Sequence, residues 1–209
     1  MSSDFILTLA LVIGVLFFVN VQQQRARIVL LARALHPYQI ERLMQGLIGD
    51  YLRAMGEAQA ERRTQVLATL QDSEHRLRAQ LQRLAADFGQ TPAARGRVSR
   101  IAFGLPWATQ LLPGLTFDLR RALAIHADGV ARAMDNARAL PERDRAYTIT
   151  AEMMLLQHSC HWFCKSRNIA SARLLARHHT TWAQTVEGVT PETRAAYLAL
   201  ITGQTTGTR

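Results

Sequence analysis

The sequence predicts an all-α fold: a single N-terminal transmembrane helix, then a cytoplasmic helical hairpin and a C-terminal helical bundle. Three observations carry that prediction. Phe5 to Val19 reads FILTLALVIGVLFFV, without a charge. Apolar residues recur at helical spacing through most of the remaining chain. Strand signals are nearly absent, with no sustained period-two alternation and no Asn-Gly or Asp-Gly hairpin, while alanine, leucine, arginine and glutamine dominate.

The anchor occupies residues 1–21. A bilayer's hydrocarbon core needs about 20 mostly apolar residues of helix, with a lower limit near 17, and extending the run through Asn20 and Val21 reaches that limit. A secretory signal would carry basic residues ahead of the apolar core and a small-residue cleavage site behind it. Here Met1, Ser2, Ser3 and Asp4 lead, and Phe17, Phe18 and Val19 close the run, which predicts an uncleaved anchor. The competing reading is a buried core helix, the usual identity of apolar runs of about 10–14 residues. No Lys or Arg precedes the span, and Arg25, Arg27 and Arg33 follow it. The positive-inside rule then places the N-terminus outside and the rest on the cytoplasmic side of an inner (plasma) membrane. Gln22, Gln23 and Gln24 are expected to meet headgroups and water at the exit.

Residues 22–88 are read as a juxtamembrane helix and a hairpin. The first helix is expected to continue through Ile28, Val29, Leu30, Leu31 and Leu35 and to stop before Pro37, because proline disfavours helical geometry in the residue before it. That makes the anchor a stalk. The clearest amphipathic helix follows, with Ile40, Leu43, Met44, Leu47, Ile48, Tyr51, Leu52 and Met55 on one face. It is expected to end at Gly56. A second long helix is expected from about Glu61 to Phe88, with Leu67, Leu70, Leu77, Leu81, Leu84 and Phe88 near a seven-residue repeat that Glu74 interrupts. The two stripes are read as packing on each other; a homodimer seam would need more sustained heptads.

Residues 89–115 form a basic and apolar connection. Gln90, Thr91 and Pro92 break the helix, Arg95, Arg97 and Arg100 cluster, and Ile101 to Leu112 reads IAFGLPWATQLL. With Pro106 inside it, the run is too short to cross a membrane. Beside a tethered domain it reads either as an interfacial membrane contact through Arg95, Arg97, Arg100, Ile101, Phe103, Trp107 and Leu111 or as a buried connection over the core.

Residues 116–202 divide into four expected helices. Asp118 belongs to the first turn of one that runs through Leu119, Leu123, Val130 and Met134 toward Leu140. Pro141 and Glu142 open the next. Asn168 is expected to cap a third that carries Leu174, Leu175 and Trp182, and Thr190 with Pro191 starts the last. Residues 203–209 are a polar tail.

The chain has 209 residues, 48% of them hydrophobic, and a formal net charge of +9. A packed core is expected, not disorder. Asp4 is the only charge ahead of the span, so the basic excess faces the predicted cytoplasmic side, where anionic lipid attracts it. Nucleic acid is disfavoured as a partner, since its binders concentrate basic residues in one patch with stacking aromatics. The expected partners are the lipid bilayer and a protein at the membrane, with a homo-oligomer left open. The two cysteines, Cys160 and Cys164, lie in a reducing compartment on this reading, so no structural disulfide is expected.

One stretch could carry chemistry. Tyr147 to Cys164 is apolar on every side of a helical wheel, which marks a central buried helix. His158 and His161 are three residues apart, as are His161 and Cys164, and Cys160 and Cys164 are four apart, so Cys160, His161 and Cys164 crowd one face, with His158 three residues before His161; His178 and His179 could add a ligand from the next helix. Thiolate and imidazole suit zinc or another borderline metal. The spacing matches no established zinc or c-type haem signature, and buried cysteines usually act as small hydrophobes. The acid Glu152 inside the same helix is expected to pair with an arginine. There is no Gly-rich phosphate loop, no G-x-S-x-G and no H-E-x-x-H. The sequence therefore points to a non-enzymatic, membrane-anchored adaptor, assembly or regulatory protein without a cofactor; the rival is a metal- or haem-binding redox protein that uses the His/Cys set.

Overall fold

The computed structural model describes residues 2–204, so Met1 and most of the polar tail lie outside the described residues. Among those residues there are eleven α-helices and one two-stranded ribbon, as the all-α prediction requires. Helix α1 (Ser2–Leu35) is unbroken and about 51 Å long at 1.5 Å per residue. From Asp4 to Phe18 every side chain is exposed, so the rest of the chain does not cover this stretch as it would a core helix. The helix is long and apolar enough to cross a membrane. Its second half enters the fold: Leu31 is buried, with Leu30, Ala34 and Leu35 packed beside it. It stops at Leu35, two residues ahead of Pro37.

Helix α2 (Ile40–Gly56) buries Ile40, Met44, Leu47, Ile48, Tyr51 and Ala54. The expected second long helix is two helices, α3 (Ala60–Thr69) and α4 (Gln71–Gly89). The hydroxyl of Thr69 donates to the carbonyl of Val66 at 2.7 Å, and the Leu70 N–H turns to Leu67 at 3.1 Å. The Val66 carbonyl, which would accept the Leu70 N–H in a continuous helix, thus takes the Thr69 hydroxyl where the ladder is interrupted. Helix α3 buries nothing, whereas α4 buries Leu77, Leu81, Leu84 and Phe88. Glu74, the interruption in the repeat, is buried as well. It accepts from the hydroxyl of Tyr51 on α2 and from both arms of the Arg145 guanidinium.

A short helix α5 (Ala93–Gly96) leads into strand β1 (Arg97–Ser99), which pairs antiparallel with β2 (Thr116–Asp118) in the register Val98 opposite Phe117. Between the strands lie helix α6 (Ala108–Leu111) and a 3-10 turn at Pro113–Leu115. Five helices follow, where four were expected: α7 (Leu119–Asp135), α8 (Glu142–Cys164), α9 (Arg167–His178), α10 (Trp182–Gly188) and α11 (Pro191–Thr202). The extra boundary falls where His179 takes a left-handed conformation and Thr181 with Gln184 closes a capping box. Asp118 is the N-cap of α7, accepting from Arg120 N–H, rather than a first-turn residue. Ser166, not Asn168, caps α9. Thr190 caps α11 with Pro191 in its first turn, as expected.

Helix α8 is the centre of the fold, packed by α1, α2, α7, α9 and α10. Helix α4 lies mainly against α7, and its Phe88 meets Phe163 of α8 edge-on at 6.2 Å. The hairpin helices and the C-terminal helices therefore share one continuous hydrophobic core.

Candidate functional site

The connection from Arg100 to Leu115 is pinned at its base and bare at its tip. The Trp162 indole N–H donates to the Ser99 carbonyl at 2.8 Å, and the Asn168 N–H to the Ala102 carbonyl at 3.2 Å. Arg100 turns inward and donates to the carbonyls of Leu200 and Thr202 at the end of α11. Gly203 is required beside it, for its φ of +79° and because a Cβ there would stand 2.6 Å from the guanidinium. The Arg100 guanidinium thus secures the loop to α11, and Ile101 is half-buried. Arg95, Arg97, Phe103, Trp107 and Leu111 are exposed as a membrane contact would require, with Leu111 at 72% and Phe103 at 68%. Leu105, Leu112 and Leu115 add to the same apolar tip.

This tip is docked on α1 where the apolar run ends. The Trp107 N–H donates to Gln23 Oε1 at 3.0 Å, and Arg27 donates to the Thr109 hydroxyl at 3.4 Å. Gly104 approaches α1 so closely that a Cβ would lie 3.1 Å from the Gln24 amide nitrogen. Lys165 donates to Gln24 Oε1 at 2.8 Å. Two of the three glutamines expected to meet headgroups and water are thus engaged by the domain. Trp107 sits at φ 57°, a left-handed conformation that costs a bulky residue about 1–3 kcal/mol. The Gln23 bond and the α1 contacts hold it there, with the indole turned outward.

The His/Cys set on α8 is divided between two sides of the helix. His158 is buried against α9 and α10. Its Nε2 meets the Ser171 hydroxyl at 3.1 Å, and its ring lies edge-on to Trp162. Arg167 stacks over Trp182 with 4.6 Å between the guanidinium carbon and the ring centroid. Burial first, then the charges of Arg167 and His161, push His158 down to about 3. Cys160 and Cys164 face the other way, into a cavity of about 310 Å³ between α1, α2 and α8. Burial pushes Cys160 up to about 12 and Cys164 up to about 11, so both are thiols and poor nucleophiles at neutral pH. His161 lines that cavity too, while His178 is held by Gln157 at 3.3 Å and His179 caps α9. Among the described residues no three His, Cys, Asp or Glu side chains stand together as a metal ion would need.

Glu152 finds threonines, not an arginine. Its Oε1 accepts the Thr190 N–H and the Thr190 hydroxyl, each at 3.0 Å, which ties α8 to the start of α11. Gly129 on α7 leaves it room, since a Cβ there would lie 2.4 Å from Oε2. Burial raises the Glu152 carboxyl above its ordinary range, against the opposing pull of those hydrogen bonds. A polar group missed in the sequence is His126 of α7, fully buried, with Nε2 2.8 Å from the Ser159 hydroxyl. Its signal was a histidine within the apolar stripe of an amphipathic helix.

Compared with protein-family models, with curated proteins and with solved structures, the chain matches none. The candidate site is the place where the apolar stretch of α1 ends and the 100–115 loop docks on it.

Proposed function

We propose that the protein is a single-pass membrane protein of the plasma (inner) membrane, N-terminus outside, whose cytoplasmic all-α domain is a non-enzymatic adaptor, assembly or regulatory module. The observation that carries this reading is the apolar tip of the 100–115 loop, hydrogen-bonded to α1 at Gln23 and Arg27. A membrane-facing foot belongs at that level if residues up to Val21 are in lipid. Its exposed aromatic and leucine side chains suit the interface between headgroups and acyl chains. The stalk supports the reading too, because α1 passes into the core without a hinge and so fixes the height and tilt of the domain. Tethering then confines the search for a protein partner and raises its effective concentration.

Topology tests it directly. In a Cys160→Ser, Cys164→Ser background, Ser3→Cys is expected to react with a membrane-impermeant maleimide on intact cells, and Asp50→Cys only after permeabilisation. The reverse pattern, or equal labelling of both, overturns the reading. The foot has its own test in the full chain reconstituted in vesicles. Brominated acyl chains should quench a component of tryptophan emission that Trp107→Phe removes, because Trp162 is buried in the core and Trp182 is half-buried against it with Arg167 over its ring. Quenching that the substitution leaves undiminished would show that Trp107 does not touch lipid.

A further inference from the structure

We infer that the cleft between α1 and the start of the ribbon is a headgroup site for an anionic phospholipid. The inference deepens the membrane-anchored reading and rests on it. Arg25, Arg27 and Arg33 of α1 face Arg95 of α5 and Arg97 of β1 across a cleft of about 590 Å³, and no carboxylate lines it. Arginines are paired elsewhere, as Arg145 with Glu74, Arg120 with Asp118, Arg194 with Glu187 and Arg78 with Asp135, and others such as Arg42, Arg121 and Arg173 are not, but here five converge on one concave surface without a carboxylate. Among the described residues none of the five cleft arginines is in an ion pair. The one side-chain hydrogen bond among them runs from Arg27 to Thr109, and it fixes Arg27 on the cleft wall.

Five guanidinium groups around one concave surface repel one another unless an anion enters. The planar guanidinium fork matches phosphate oxygens in pairs. Basic pockets beside transmembrane helices on the cytoplasmic side are suited to anionic lipid headgroups. The depth fits: Arg25 and Arg27 lie about 6 and 9 Å beyond Val21 along the helix axis, near the headgroup layer of about 5–8 Å per leaflet. Arg33, about 18 Å beyond, forms the cytoplasmic lip. Gln110, also on the wall, offers an amide to a glycerol or headgroup hydroxyl. The acyl chains would descend along the exposed flank of α1 at Phe17 and Phe18. A zwitterionic choline headgroup would bring a cation into an all-positive cleft, so the site selects net anionic lipids. Its number of guanidinium groups favours a lipid with two phosphates over one with a single phosphate.

The test uses the full chain in mild detergent, with labelled diphosphatidylglycerol and phosphatidylcholine as probes and native mass spectrometry to count retained lipid. The wild type should retain diphosphatidylglycerol in preference to phosphatidylcholine. Arg95→Gln with Arg97→Gln should weaken that binding about thirtyfold, at the scale of one basic residue's attraction to an anionic surface for each arginine removed. Both side chains are exposed, so folding should be untouched, and Arg83→Gln, an exposed arginine of α4 that does not line the cleft, should bind as the wild type does. No preference between the two lipids, or full retention by the double variant, overturns the site while the anchor stands. Displacement of the lipid by soluble glycerophosphate at equal concentration, or by single-stranded RNA, also overturns it, since the cleft would then serve a free anion or a nucleic acid. Release of the protein from membranes by alkaline carbonate would instead remove the anchored reading itself, and the lipid site with it.

Discussion

Replacing Glu74 by alanine is expected to lower the unfolding free energy by about 3–5 kcal/mol, the usual consequence of breaking a buried ion pair from one side. Glu74 is 5% exposed, and three elements meet on it. It accepts the Tyr51 hydroxyl from α2 and is gripped by Arg145 from α8, with Nη1 3.1 Å from Oε1. Arg145 also donates to the Met134 carbonyl near the end of α7 at 3.0 Å. The alanine variant leaves a half-buried guanidinium and a fully buried hydroxyl without their acceptor, in a place water cannot easily reach. Glu74→Gln keeps the volume and one acceptor, and should cost about 1.5–3 kcal/mol, the range of a hydrogen bond to a charged group. Replacing the whole set, Glu74→Leu with Arg145→Leu and Tyr51→Phe, should be neutral or stabilising, since no charge is then buried. Urea unfolding of the full chain in detergent, followed by circular dichroism, measures all three. As an internal comparison, Asp72→Ala removes the exposed pair with Arg76 and should leave stability unchanged within error. A loss below about 1 kcal/mol for Glu74→Ala, within the reach of an exposed pair, would mean that Glu74 is not a clasp.

Glu74 also shows how much of the fold was legible. The heptad reading found the apolar positions of α4 and saw that Glu74 broke the repeat; the interruption was the signal of a buried polar clasp, but its partners lie 23 and 71 residues away. The α2 stripe was legible because the 3.6-residue period marks the face. Its edges were not: Leu52 falls in the stripe yet is exposed, since the helices packed on α2 cover a narrower arc. The break at Leu70 has no proline or glycine to mark it; the Thr69 hydroxyl bonded to the Val66 carbonyl accompanies it. The boundary between α9 and α10 was written in the sequence as Thr181 and Gln184 at capping-box spacing, and Trp182 drew attention past it. The β-ribbon has three residues per strand, too few to show alternation.

The site was legible in composition and not in geometry. The exposed apolar tip and its neighbouring arginines could be read locally, but the docking of Trp107 on Gln23 joins residues 84 apart. Arg100 looked like its neighbours Arg95 and Arg97, and only the carbonyls at the end of α11 distinguish it. For the His/Cys set the helix period itself held the answer. At about 100° per residue, His158 and Cys160 point some 200° apart, so they meet different neighbours on a helix that is packed all round.

Those neighbours make the domain acid-sensitive. His126 and His158 are both pushed down to about 3 by burial, helped at His126 by the charge of His158 and at His158 by Arg167. A neutral ring with its hydrogen on Nε2 can donate to Ser159 in one case and to Ser171 in the other. In the unfolded chain both would titrate at the ordinary 6.5. Between about 3 and 6.5 the unfolded state therefore binds more protons than the folded one, and stability rises with pH across that window. The full contribution is present above 6.5 and is lost as pH falls toward 3. At about pH 4.5 each histidine should have cost about 2.7 kcal/mol relative to neutral pH, and the two together about 5 kcal/mol. Glu152 acts in the opposite sense. Its raised carboxyl is uncomfortable when ionised, so acid relieves it and offsets part of the loss. Urea unfolding at neutral pH and near pH 4.5 gives the difference for the wild type. In His126→Gln with His158→Gln that difference should shrink by about 5 kcal/mol, even if the variant is weaker at both values. A double variant with the same acid response as the wild type would show that these two rings do not set it, and that other groups take up the protons on unfolding.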